Sequence, residues 1–484
     1  MFKALFKKEL LENIQNLRFL LALILCLVVI PLGFTVSQKD YLDRRTAYDK
    51  VIHDYTETHK TVGDVMRNGG AAFRPPAALG LLAGGVEAVL PSAAETAGFI
   101  TYQGAMVQFN NARRPDNPFA SLFGHLDLAF IVSTVLAVLV MIFTFNAVAG
   151  EKERRTLAQV MANPVPRPLV VTAKMAAGSL LLAAAFLVGV TAGVLLTAAL
   201  GIDPFREPGM WAPFGMAVGV SLLFLLTFYN FGLLVSSRSR SAVAAMVTVL
   251  SFWVVMAMIL PKGSVVAAKM LLPVKSQQVV DLEKSQARDQ ISQELGAAII
   301  HLTETTPVIK DMSTDEYFKA RRAKNPAVEE FEKKQTELED EFKAKTDAAL
   351  ERIDADFDQR KAREAALARN LARLSPVSCL VHVLTELAGT GFMEEAKWRE
   401  TRTRFRQILD REIASRQQSV GFKDIWLTAF GRLDRKAPAP TVPAEPVPLE
   451  KRLAAVWVDL VLLGIYGLLF FVGAYVSFLG YDVR

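Results

Sequence analysis

Hydrophobic and polar positions separate into long blocks along this chain. Leu17 to Val36 is mostly apolar, with Arg18 its one charge. At a rise of about 1.5 Å per residue it is long enough for the roughly 30 Å hydrocarbon core of a bilayer. Similar runs recur at about Leu126–Ala149, Leu169–Leu200, Phe214–Ser236, Ala242–Leu260 and Val456–Leu479. The pattern predicts six membrane-spanning helices. Ahead of the first, Phe2, Leu5, Phe6 and Glu9-Leu10 recur at helical spacing with Lys3, Lys7 and Lys8 opposite them. That is the pattern of an amphipathic helix lying in the membrane interface. Lysines before an apolar run also suit a signal peptide, but this core is long and no Ala-x-Ala site follows Pro31-Leu32-Gly33, so a retained span is expected.

The resulting map places an amphipathic helix at 1–16, the first span at 17–36 and a first external region at 37–125. Spans two to five follow at 126–260, with a short helix at their second junction, 150–162. A second external region at 261–452 precedes the last span and tail at 453–484. Orientation follows the basic loops. Lys152, Arg154, Arg155 and Arg167 lie between spans two and three, and Arg238 and Arg240 between four and five. The loop Gly201–Ala212 sets Arg206 against Asp203 and Glu207. The positive-inside bias then puts both termini in the cytoplasm.

Within the second external region Phe331, Leu338, Phe342, Ala349, Ile353 and Phe357 form a narrow apolar seam of coiled-coil type on a densely charged background. Val280, Leu282, Ile291, Leu295 and Ile299 on one side, and Trp398, Phe405, Leu409 and Ile413 on the other, offer partner helices. Lys436–Pro448 reads as a stiff proline-rich tether back to the membrane. The expected fold class is mainly α: a polytopic membrane protein with an external helical insertion.

Composition becomes interpretable against this map. Of 484 residues 52% are hydrophobic and 21% charged, which excludes both one ordinary soluble domain and a chain buried in lipid throughout. The net charge of +6 belongs to the basic loops and does not imply nucleic acid. Cys26 and Cys379 cannot support a disulfide framework, and the five histidines form no HExxH pair, so no metal site is expected. No GxxxxGK[ST] loop, GxSxG elbow or GxGxxG turn occurs, so this chain is expected to hold no nucleotide, cofactor or catalytic residue of its own. Asp127 and Asp459 lie near span ends, where interfacial solvation is expected to suffice. That disfavours a proton- or ion-coupled carrier.

The informative stretch is the second junction. Gly150 ends a span, Glu151 and Glu153 suit the first turn of a new helix, and Leu157, Val160 and Met161 give it an apolar face before Asn163-Pro164 stops it. The residues alone allow either a plain interfacial connector or a helix that docks on a cytoplasmic partner. The sequence Gly-Glu-Lys-Glu-x-x-Thr-Leu, then Asn-Pro-Val-x-Arg, then Ala173-Lys174, resembles the signature of permease subunits of type-2 ABC transporters. Phe73-Arg74-Pro75-Pro76-Ala77-Ala78-Leu79, with Asn117-Pro118-Phe119 before the second span, and Leu374-Ser375-Pro376 with Glu386-Leu387-Ala388-Gly389-Thr390-Gly391 resemble a subgroup with enlarged external regions.

The resemblance implies that Gly150, Glu151, Lys152, Glu153, Arg154, Thr156 and Leu157 form a coupling helix seated on a cytoplasmic ATPase subunit, which binds ATP and Mg. It further implies a second permease copy, identical or paralogous, membrane lipid around the spans, and location in a bacterial inner membrane. The chain is then a transport subunit, expected to export, and performs no covalent chemistry. A periplasmic partner for the external arm is a further expectation. Arg155 stands where that family usually has Gly, a change that either alters partner selectivity or favours helix. Two other classes remain: a membrane scaffold whose external arm recruits a periplasmic factor, and a membrane enzyme acting in its external regions. The coupling motif argues against the first and the missing catalytic constellations against the second.

Overall fold

The computed structural model describes residues 1–61, 64–65, 70–88, 90, 93–95, 126–162, 166–202, 205, 209–420 and 445–480. Asn117-Pro118-Phe119, Asn163-Pro164, the loop charges Asp203, Arg206 and Glu207, and most of the proline-rich tether lie outside the described residues. Helix α1 (Phe2–Ile14) precedes six helices long and apolar enough to cross a membrane: Leu17–Thr58, Leu128–Glu153, Arg167–Ala199, Trp211–Arg238, Ala242–Leu271 and Leu449–Leu479. They are called here the first to sixth spans. The mainly α, polytopic fold class is as the hydrophobic pattern indicates.

Three boundaries differ from the sequence map. The first helix does not end near Val36 but continues to Thr58, because no glycine or proline follows Gly33 within it. Its polar extension is lined by i,i+4 pairs, Arg44 with Asp40 at 2.9 Å and Arg45 with Asp49 at 3.3 Å. The fifth span runs on to Leu271, and the sixth starts earlier, at Leu449.

The segment expected as one external domain over 261–452 also divides. Leu260–Ala372 is a compact unit by itself, whereas the residues from Arg373 onward belong with the bundle. The chemistry explains the division. In the arm, α4 (Gln277–Thr305) and α5 (Pro326–Ala372) are charged helices that hold each other by a thin seam. Val280, Ile291 and Phe331 are buried there, and Lys345 pairs with Glu294 at 2.5 Å. Leu282, expected in that seam, is exposed. After Arg373, α6 (Pro376–Ala388) is buried on nearly all sides, Ser378, Thr385 and Glu386 included, and lies along the fourth and sixth spans. Helix α7 (Phe392–Val420) then leaves it at 44°. Trp398 and Phe405 of α7 pack with Ala72, in the bundle unit, and do not join the arm.

One end of the bundle gathers α1, the junction of spans two and three, the junction of spans four and five, and the end of the sixth span, where Arg167 Nη1 donates to the Leu479 carbonyl at 3.0 Å. The opposite end carries β1 (Ala71–Phe73), antiparallel to β2 (Ala93–Glu95), and a loop whose Leu79, Leu81 and Leu82 join the bundle core. Small residues allow close approach at some points and not others. A Cβ at Gly189 would meet the Cys26 carbonyl at 2.7 Å, whereas Gly215, Gly219 and Gly464 face open space.

Candidate functional site

The junction motif forms two short helices, α2 (Ala149–Glu153) and α3 (Thr156–Ala162). The first turn of α2 has backbone N–H groups without partners in its own helix, and the fourth span supplies one. Ser236 Oγ accepts from Val148 N and Ala149 N, both at 3.0 Å, and donates to the Phe145 carbonyl at 2.8 Å. Gly150 is required by contact, since a Cβ there would overlap the Asn146 side chain.

The two charges that follow also turn inward. Glu151 accepts from Lys174 Nζ at 2.6 Å, and the same ammonium donates to both oxygens of Glu9 at 3.0 Å. Lys174, on the third span, and Glu9, on α1, are 6% and 7% exposed. One buried cation thus holds the amphipathic helix, the motif and a span together. Burial, opposed by the attraction of Lys174, keeps the Glu9 carboxyl above its ordinary range. Tyr229, on the fourth span, donates to the Lys174 backbone carbonyl at 3.1 Å and lies against Gly178. Lys152 Nζ donates to the carbonyls of Ser237 and Ser239, at the carboxyl end of the fourth span. A cation there is favoured by the helix dipole.

The expected single helix over 150–162 is broken. Arg154 ends α2, and Arg155 adopts φ +57°, in the left-handed region. A β carbon makes that conformation about 1–2 kcal/mol less favourable than the right-handed one. Arg155 therefore does not favour helix. The turn buries Leu157 and leaves Glu153, Arg154, Arg155 and Thr156 exposed. The seven residues assigned to partner contact accordingly divide. Gly150, Glu151, Lys152 and Leu157 fasten the motif to the bundle, and Glu153, Arg154 and Thr156 face outward.

The family model for ABC-2 family transporter proteins matches residues 3–483. The chain belongs to the ABC-2 transporter family. It is a multi-pass permease subunit of an ABC transporter, and its family implies partnership with an ABC ATPase subunit. No curated protein matches it.

At the other end of this ABC-2 permease the Glu386–Gly391 patch is joined to the loop that follows the Phe73–Leu79 patch. The Thr390 hydroxyl donates to the Ala83 carbonyl at 2.8 Å, and Val86 N donates to the Thr390 carbonyl at 2.8 Å. Gly389 caps α6 at φ +75°, a conformation that glycine adopts without penalty. Glu87 accepts from Arg44 Nη1 at 2.8 Å and from Ala77 N at 3.1 Å.

Sequence reasoning missed one site in the permease. Asp459 is 1% exposed, so interfacial solvation does not serve it. The Arg373 guanidinium grips it with two bonds, Nε to Oδ1 at 3.0 Å and Nη2 to Oδ2 at 2.9 Å. His382 Nδ1 stands 3.3 Å from Oδ1, and Tyr466 donates to the Arg373 carbonyl at 3.0 Å. Asp127 is likewise engaged, accepting from Gly84 N at 2.7 Å and Phe130 N at 2.8 Å. The only local signal was Arg373 itself, the last charge before the apolar α6.

Proposed function

We propose that this ABC-2 permease is the transmembrane subunit of an ATP-driven exporter in a bacterial inner membrane, with both termini cytoplasmic and the outward face of α2–α3 seated on the ATPase subunit. The observation that carries this reading is the division of the motif. Glu153, Arg154 and Thr156 point away from the bundle, while Glu151 and Lys152 are bound to the third and fourth spans. Force applied at the outward residues therefore reaches two spans and α1 through buried, charge-assisted bonds. ATP and Mg act in the partner, and nucleotide state biases two arrangements of the spans. Basic residues gathered at the same end as α1 support the cytoplasmic assignment. The fifth span exposes Val243, Val247, Met258 and Ile259, an apolar face suited to lipid or to a second permease copy.

Co-expression with the ATPase subunit, followed by pull-down and ATPase measurement in lipid, tests the assignment. Glu153→Ala with Arg154→Ala and Thr156→Ala is expected to weaken the complex and lower hydrolysis. Unchanged assembly and unchanged turnover would show that the docking face lies elsewhere.

A further inference from the structure

The outward face of the motif carries an unbalanced charge. Arg154 and Arg155 are exposed on it. Lys152 reaches the carbonyls of Ser237 and Ser239, which flank Arg238, so the exposed Arg238 and Arg240 lie beside the same helix. Glu151 is turned inward to Lys174, which leaves Glu153 as the exposed acid of α2. Four exposed arginines thus lie on the junction or on the segment that Lys152 reaches, and Glu153 is the exposed acid of α2. Arg155 adds a second observation, because its left-handed backbone is one that a side chain disfavours. Strain of this kind persists where the surrounding structure enforces it and clusters at functional sites. Lys324, in the arm, shares the conformation, so it is the strain together with the basic surroundings that singles out Arg155.

We infer that these arginines read an acidic docking groove on the ATPase subunit, and that Arg155 is the residue determining which ATPase is accepted. The inference rests on the proposed coupling role of α2–α3 and adds the chemistry of the partner. Guanidinium groups suit this recognition, since each presents a planar fork to a carboxylate. Complementary charge acts chiefly on the rate of encounter and on rejection of wrong partners. A positively charged junction also occurs where cations meet anionic lipid headgroups, so lipid composition has to be controlled.

The test uses the full-length permease in nanodiscs of phosphatidylcholine alone and, in parallel, of phosphatidylcholine with phosphatidylglycerol, and the ABC ATPase subunit that assembles with it on co-expression. Association is followed against salt for the native chain, for Arg154→Glu with Arg155→Glu, and for Arg155→Gly. The native association rate is expected to fall steeply with salt, and the charge reversal to lower it about tenfold at low salt and flatten that dependence. Arg155→Gly relieves the backbone, so it is expected to raise the thermal stability of the chain while slowing association. This opposite movement separates recognition from folding. Rates that ignore both salt and charge reversal overturn the inference and leave the coupling role intact. Equal association of Arg155→Gly overturns the role of Arg155. An effect confined to nanodiscs containing phosphatidylglycerol assigns the arginines to lipid and also overturns it. A native chain that assembles with no ABC ATPase defeats the coupling role itself, an outcome distinct from the others.

Discussion

Lys174→Met is the most demanding test of how the motif is fastened. The ammonium serves two carboxylates, at 3.0 Å from both oxygens of Glu9 and 2.6 Å from Glu151. Removing one partner of a buried ion pair costs about 3–5 kcal/mol, because the remaining charge stays buried. Glu9 supports the full cost, while the Glu151 side chain, 25% exposed, keeps some water. A loss of about 3–4 kcal/mol is therefore expected. Adding Glu9→Leu and Glu151→Gln removes the stranded charges, and the triple variant is expected within about 1 kcal/mol of the native chain, since apolar replacement of a whole buried pair is close to neutral. The pH dependence has a definite sign. The Glu9 carboxyl is held above its ordinary 4.5 by burial, so its contribution is greatest below that value and is lost as pH rises through the folded value. Without Lys174 the folded value climbs further. The deficit of Lys174→Met should be largest near neutral pH and narrow towards about pH 4.5. Thermal unfolding of the full chain in nanodiscs, followed by tryptophan fluorescence across that range, measures it. A deficit that does not change with pH, or that persists in the triple variant, refutes the argument.

Three further outcomes follow from particular contacts. Gly178→Ala would drive a Cβ into the Tyr229 hydroxyl, an overpacking expected to cost about 1–3 kcal/mol. Adding Tyr229→Phe should recover part of it in the same unfolding assay. Asp459→Leu alone strands Arg373 at a site where the guanidinium is 16% exposed, with a loss of about 3 kcal/mol expected, while Asp459→Leu with Arg373→Met should fall well below the sum of the single losses. In the arm, Ser313 and Glu316 form a reciprocal capping box. The Ser313 N–H and hydroxyl hold the Glu316 carboxyl below its ordinary value, so this support is present above about pH 4.5 and is lost as pH falls through the folded value. The protection factors of the amides in Thr314–Arg322, exchange being corrected for the pH dependence of the intrinsic rate, should therefore fall on acidification, and Ser313→Ala should abolish the change.

What the sequence made legible was local. Six apolar runs are each long enough to span, and their lengths do not depend on what they touch. The continuation of the first helix to Thr58 was equally local, since nothing between Ser37 and Thr58 breaks a helix, but its polarity concealed it. The bonds that define the site are not local. Glu9 and Lys174 are 165 positions apart, and Arg373 and Asp459 are 86 apart, so no spacing rule finds them. Arg155 was open in the sequence between altered partner selectivity and a preference for helix, and its left-handed backbone speaks against the second alone.

Asp127 and Asp459 sharpen the point about depth. Both sit near the ends of apolar runs, and position along a run was taken to mean contact with water. Exposure depends instead on what the segments between spans do, and here the loop 74–84 and helix α6 fold back into the bundle. Asp127 binds the amide of Gly84 in that loop, and Asp459 binds Arg373 at the entrance to α6. Each carboxylate thereby joins a returning external segment to a span. Asp127 and Asp459 are satisfied by fixed donors, and protonating either one would remove charge-assisted bonds that hold this end of the bundle closed on the core.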